Sequence, residues 1–206
     1  MNKILAASAV LTGALLLSAC GSTGAGTPSS APTVAPAAAG GSAEAASAPS
    51  SAAAAPEAAK SSRGNLIKAV GEPASQTYNG ETIATFVATA IESAAGCTAQ
   101  FASAPKNGQI VVATFNVETT AALSKTISKN FSLNMFGWKA VAGNGTTVNG
   151  NPVAIMCLDS AEQLPSTMGP GEKATGKIAF DVPAGAGTLV YTAPGAPAGW
   201  EWSYGK

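Results

Sequence analysis

The stretch KATGKIAFDV, Lys173 to Val182, decides the fold. Ala174, Gly176, Ile178, Phe180 and Val182 fall on one side of an extended chain, and Lys173, Thr175, Lys177 and Asp181 fall on the other. Successive side chains of a strand point to opposite faces, so this segment is expected to cover a core with one face and meet water with the other. Working outward, Gln109–Glu118 repeats the pattern, with Val111, Ala113, Phe115 and Val117 opposed to Thr114, Asn116 and Glu118. Thr82–Ile91 fits a helix period as well as a strand, and its β-branched residues favour the strand. Asn65–Val70, Phe131–Val141, Thr188–Thr192 and Trp200–Tyr204 read as further strands, and Ala121–Asn130 has room for one helical turn. Asn-Gly pairs at 79–80, 107–108, 144–145 and 149–150 offer the positive φ angles that tight turns need. About seven to nine short strands punctuated in this way predict an all-β, two-sheet antiparallel sandwich.

The sandwich is not expected to use the whole chain. Residues 21–63 are almost all Ala, Ser, Gly, Pro and Thr, with Val34 the only large aliphatic residue and prolines at 28, 32, 36, 49 and 56. Such a segment buries too little apolar surface to offset the entropy of ordering, and its prolines interrupt any long helix. It reads as a disordered tether, spanning roughly 35–40 Å as a coil and at most about 130 Å when stretched. Ahead of it, Lys3 opens an apolar or small run from Ile4 to Leu17, too short for a comfortable membrane span and suited to a signal peptide.

Leu17-Ser18-Ala19-Cys20, followed by Gly21, resembles the lipobox of bacterial lipoproteins. The resemblance implies that residues 1–19 are removed and that the Cys20 thiol carries a diacylglyceryl group, which holds the chain in membrane lipid. Several acyl chains give stable anchoring, at ~0.8 kcal/mol per buried methylene. An ordinary secretory cleavage beside a chance cysteine is the competing reading. The expected organisation is a signal peptide over 1–19, a lipidated cysteine and tether over 20–63, and a sandwich over 64–206. Its place is the extracytoplasmic face of the cell membrane.

Charge and composition exclude several functions. The formal net charge is zero, charged residues are 11% of the chain, and there is one arginine, Arg63, and no histidine. Nucleic-acid binding needs clustered cations, and the scattered lysines supply no basic stripe. Without histidine the commonest general base, the usual zinc sites and every Ser-His or Cys-His pair are gone. Ser103-Ala-Pro-Lys106 has the Ser-x-x-Lys spacing but precedes a turn and a strand instead of opening a helix. Gly169–Thr175 lacks the spacing of a phosphate loop. Asp159 and Glu162 alone make a poor calcium site. No catalytic residue, metal or cofactor is expected, and an envelope enzyme built on carboxylates or a Ser/Lys pair stands as an alternative.

Two residue sets remain. Cys97 and Cys157 form an even pair in an exported domain, which favours a structural disulfide over a redox-active pair. Closing that loop stabilises by roughly 4 kcal/mol in the chain-entropy picture. Trp200, Trp202 and Tyr204 recur at period two and share one strand face. Exposed, that face is a platform for cell-wall glycan or for an envelope protein; buried, it closes the core.

The runs Gly108–Val117, Phe131–Trp138, Leu164–Gly171 and Gly176–Pro183, taken together, resemble domain of unknown function 4352, an immunoglobulin-like domain of actinobacterial and clostridial surface lipoproteins. That family is related to the mycobacterial immunoprotective extracellular antigen fold. The resemblance covers roughly Asn65–Tyr204. It implies an immunoglobulin-like β-sandwich in a lipoprotein context, without catalytic residues to carry over. Two features depart from the family pattern: Glu118-Thr119 stands where an asparagine is common, and the cysteine pair is not general. The function expected is a non-enzymatic, membrane-anchored domain for binding, adhesion or envelope structure.

Overall fold

The computed structural model describes residues 59–205. The signal peptide, Cys20 and nearly all of the expected tether therefore lie outside the described residues. Eight strands form two four-stranded sheets: β1 (Leu66–Ile67), β2 (Pro73–Tyr78), β3 (Glu81–Ser93), β4 (Gly108–Thr119), β5 (Trp138–Ala142), β6 (Lys173–Pro183), β7 (Gly187–Tyr191) and β8 (Trp200–Tyr204). One sheet runs β2-β3-β4-β6 and the other β1-β8-β7-β5. The chain crosses between sheets after β1, β4, β5 and β6. With β3, β4 and β6 in the A, B and E places and β5, β7 and β8 in the C, F and G places, this is the immunoglobulin-like arrangement. One pair departs from the antiparallel expectation: β1 runs parallel to β8, with Leu66 beside Trp200.

The alternation seen in the sequence sets what each sheet buries. Val111, Ala113, Phe115 and Val117 of β4 and Phe180 and Val182 of β6 face the other sheet. Phe86 of β3 meets them at the centre and touches the rings of Phe131, Tyr191, Trp200 and Trp202. Aromatic rings at such offsets add to the burial of their area. The β2–β3 hairpin turns on Asn79 and Gly80, whose φ angles of 50° and 81° are the left-handed pair a two-residue turn requires.

Three elements differ from the sequence reading. Strand β2 went unread, because PASQTY opens on proline and buries only Ala74. Phe131–Val141 is not one strand. Phe131 makes a single bridge to Met168, and Asn134 then caps a 3-10 turn at Met135–Gly137 by accepting the Phe136 N–H at 3.0 Å. The fold also begins earlier than residue 64: Ile67 N–H donates to the Ala59 carbonyl at 2.8 Å, and Arg63 pairs with Glu201. The last residues assigned to the tether thus belong to the domain.

Candidate functional site

Trp200, Trp202 and Tyr204 are not a platform. They are 7%, 1% and 2% exposed and point into the sandwich. Trp202 packs edge-on against Phe115 at 5.7 Å between ring centres and lies 5.9 Å from Trp138. The physical reason is the pleat: the face of β8 that carries these rings is the one turned to β3 and β4. No sugar ring can stack on them from solvent.

The cysteines do meet. Cys97 and Cys157 are bridged, with Cα atoms 4.6 Å apart across 60 residues of sequence. The bridge pins the segment 151–166 over the outer face of β4 and β6. Thr98 and Ala99 N–H groups donate to the Cys157 carbonyl at 2.8 and 3.1 Å, and Asp159 N–H donates to the Thr98 hydroxyl at 3.1 Å. Beneath the segment lies a second small core of Ile110, Val112, Leu158, Ala179 and the bridge itself. Along its length the segment docks on the edge of β6. Ala154 N–H donates to the Ala179 carbonyl, Lys177 N–H to the Glu162 carbonyl, and Leu164 N–H to the Lys177 carbonyl. Gly176 makes the second docking possible, since a Cβ there would fall on the Leu164 backbone.

Between these docking points the segment bows away from β6 and leaves a half-open groove of about 330 Å³. Ile178 and Ala179 form its floor, Val153–Ile155 and Leu158 one wall, Leu133 and Met135 the other, and Leu164 and Pro165 its end. Ile155 on the rim is 54% exposed, its chain neighbour Met156 is 63% exposed, and Phe136, next to Met135, is 84% exposed. Lys177 supplies the charge at the groove, and it is engaged: its Nζ lies 2.7 Å from Glu162 Oε1. The hydrogen bond from Lys177, reinforced by one from Thr98, holds the Glu162 carboxyl below the usual range, and the same contact pushes Lys177 up. Both are ionised at neutral pH, so neither is poised to exchange a proton.

The other sequence candidates do not converge. Ser103 and Lys106 are exposed on the loop before β4, where the Lys106 and Asn107 N–H groups donate to the Asp181 carboxylate at 2.8 and 2.9 Å. Asp159 stays in solvent, while Glu162 pairs with Lys177. Among the described residues, no group of three His, Cys, Asp or Glu side chains could hold a metal ion. The groove left no mark in the sequence beyond the apolar run Val153–Leu158. Its walls come from segments about 20 to 45 residues apart that meet only through the cross-sheet topology.

No family model and no curated protein matches the chain. Solved structures do resemble it. The secreted protein MPT63 of Mycobacterium tuberculosis is 17% identical over 67% of this chain and 96% of its own, with a TM-score of 0.47. An uncharacterized β-sandwich protein of Clostridium difficile is 12% identical over 72% of this chain and 99% of its own, with a TM-score of 0.42. The yjhA protein of Bacillus subtilis is 19% identical over 52% of this chain and 73% of its own, with a TM-score of 0.36. Likenesses this distant say nothing about activity, and the sandwich is established by the chain's own strand pairing.

Proposed function

We propose that the chain is an extracytoplasmic lipoprotein, anchored through acylated Cys20, whose immunoglobulin-like domain binds an apolar segment of an envelope partner in the groove beside β6. It acts without catalysis. The observation that carries this reading is the groove itself. It is concave and mainly apolar, has a few polar groups in its lining, and lies under a segment pinned by a covalent bridge, which is the build of a binding site. The bridge also supports the address, because disulfides persist in oxidising compartments, and the Leu-Ser-Ala-Cys sequence supplies the anchor. Glycan capture on the aromatic strand loses its footing with the burial of Trp200, Trp202 and Tyr204. The resemblance to the surface-lipoprotein domain family fits the same reading.

Two measurements test it in cells that carry the full chain. An alkyne-tagged fatty acid should label the protein and label no Cys20→Ala variant; equal labelling of both would sink the anchor. A photo-crosslinking side chain placed at Ile155 should yield an adduct that Ser166→Trp, which fills the groove end, abolishes. Absence of any adduct from position 155, or one indifferent to Ser166→Trp, would remove the groove as the binding site.

A further inference from the structure

A sheet edge presents unpaired N–H and C=O groups, and proteins ordinarily cover or blunt it. The sandwich has four edges, and three are covered. Ala59 and Lys60 pair along β1, with Ile67 N–H donating to Ala59 at 2.8 Å. Residues 146–148 pair along β5, with Ala142 N–H donating to the Thr146 carbonyl and Val148 N–H to the Ala140 carbonyl. The disulfide-pinned segment covers β6. The outer edge of β2 bears no backbone hydrogen bond from any described residue.

This bare edge has no charge to repel a visitor: its sequence is Pro-Ala-Ser-Gln-Thr-Tyr. Its two ends also differ in shape. Just before the strand, Val70 stands out, 51% exposed. At its far end, Gln76–Tyr78, Ile83 and Phe131 line a groove of about 400 Å³. Antiparallel pairing of two identical strands about a two-fold axis brings the start of each to the end of the other. The apolar Val70 of one copy then reaches the groove of its neighbour, and the same contact is made twice. A two-fold contact of this kind must be self-complementary, and this edge is.

We propose that β2 pairs with β2 of a second copy of this chain, joining two four-stranded sheets into one continuous sheet. The proposal stands apart from the groove beside β6 and does not depend on it. The test uses the full chain in bacterial cells, with Ser75→Cys at the centre of the edge and mild oxidation before electrophoresis without reductant. The expected result is a band at twice the monomer mass from Ser75→Cys and none from Lys139→Cys, on the opposite sheet. Adding Thr77→Lys, which puts a charge into the groove that receives Val70 of the other copy, should cut the dimer roughly fivefold. Protection of Cys97 and Cys157 from a maleimide reports that each variant is folded. A Ser75→Cys chain that stays monomeric, crosslinks to a protein of another mass, or dimerises equally well with Thr77→Lys overturns the proposal.

Discussion

Glu201 sits between Trp200 and Trp202 and therefore points away from the core rings, yet it is only 3% exposed. Residues 61–65 cover it. Its carboxylate accepts from Ser61 Oγ at 3.0 Å, Arg63 Nε at 2.8 Å, Arg63 Nη2 at 2.6 Å and Asn65 Nδ2 at 2.7 Å. Burial pushes this carboxyl up, and the donors from Arg63, Asn65 and Ser61 outweigh that push, so it titrates below the ordinary value. Glu201→Gln is expected to cost roughly 2–3 kcal/mol in urea unfolding at neutral pH, since it weakens charge-assisted bonds at a buried site. A depressed carboxyl stabilises above its unfolded pKa of about 4.3 and loses that contribution as pH falls through the folded value. The difference between the two proteins should therefore close on acidification. Trp202→Ala should cost more, about 3–5 kcal/mol, because Trp202 touches Phe86, Phe115 and Trp138 at the centre of the core. The period-two spacing of the three rings was legible in the sequence, but which face they turned inward was not. Nor could the sequence show a buried Glu201, because its partners lie some 140 positions away and a glutamate between tryptophans reads as the wet side of a strand.

At the level of elements, the bridged segment 151–166 is stabilised as much by its closure as by its contacts. Replacing Cys97 and Cys157 together by serine should lower stability by about 4 kcal/mol in the chain-entropy picture. Hydrogen exchange should show the amides of Ala154 and Leu164 opening while those of Val111, Ala113 and Phe180 stay protected. Uniform acceleration across β4 and β6 would mean that the segment is integral to the fold instead of a cover on it. The strands plainest in the sequence, β4 and β6, are those with long, strict alternation, and β1, β3, β7 and β8 were legible beside them. β2 escaped because it is an edge with one buried side chain, and the stretch before β5 misled because apolar residues were available to a capped 3-10 turn as readily as to a strand. A cover strapped onto an outer sheet face leaves no periodic trace, which is why the groove beneath it was invisible.

For the molecule as a whole, the absence of histidine sets a plain pH profile. The groups with displaced equilibria are carboxyls held low, such as Glu201, their cationic partners Arg63 and Lys177 held high, and phenols held high. Burial pushes the Tyr191 hydroxyl from 10.0 to about 12, and Tyr204 moves the same way. A phenol raised on folding stabilises fully below its unfolded value and ceases to do so as pH climbs through the folded one. Thermal unfolding temperatures should accordingly be level from about pH 6 to 9 and fall on both sides. A step near pH 6.5 would contradict this. The parallel pairing of β1 with β8, finally, joins the first described strand to the last. Leu66 N–H donates to the Gly199 carbonyl at 2.9 Å and Lys68 N–H to the Glu201 carbonyl at 2.8 Å, beside the Arg63 fork on the Glu201 carboxylate. Opposed pulls at the start of β1 and the end of β8 act along these parallel strands, so their bonds are loaded in shear and must give way together instead of peeling open one by one. Between two points of pull placed in this way, the geometry is a mechanical clamp.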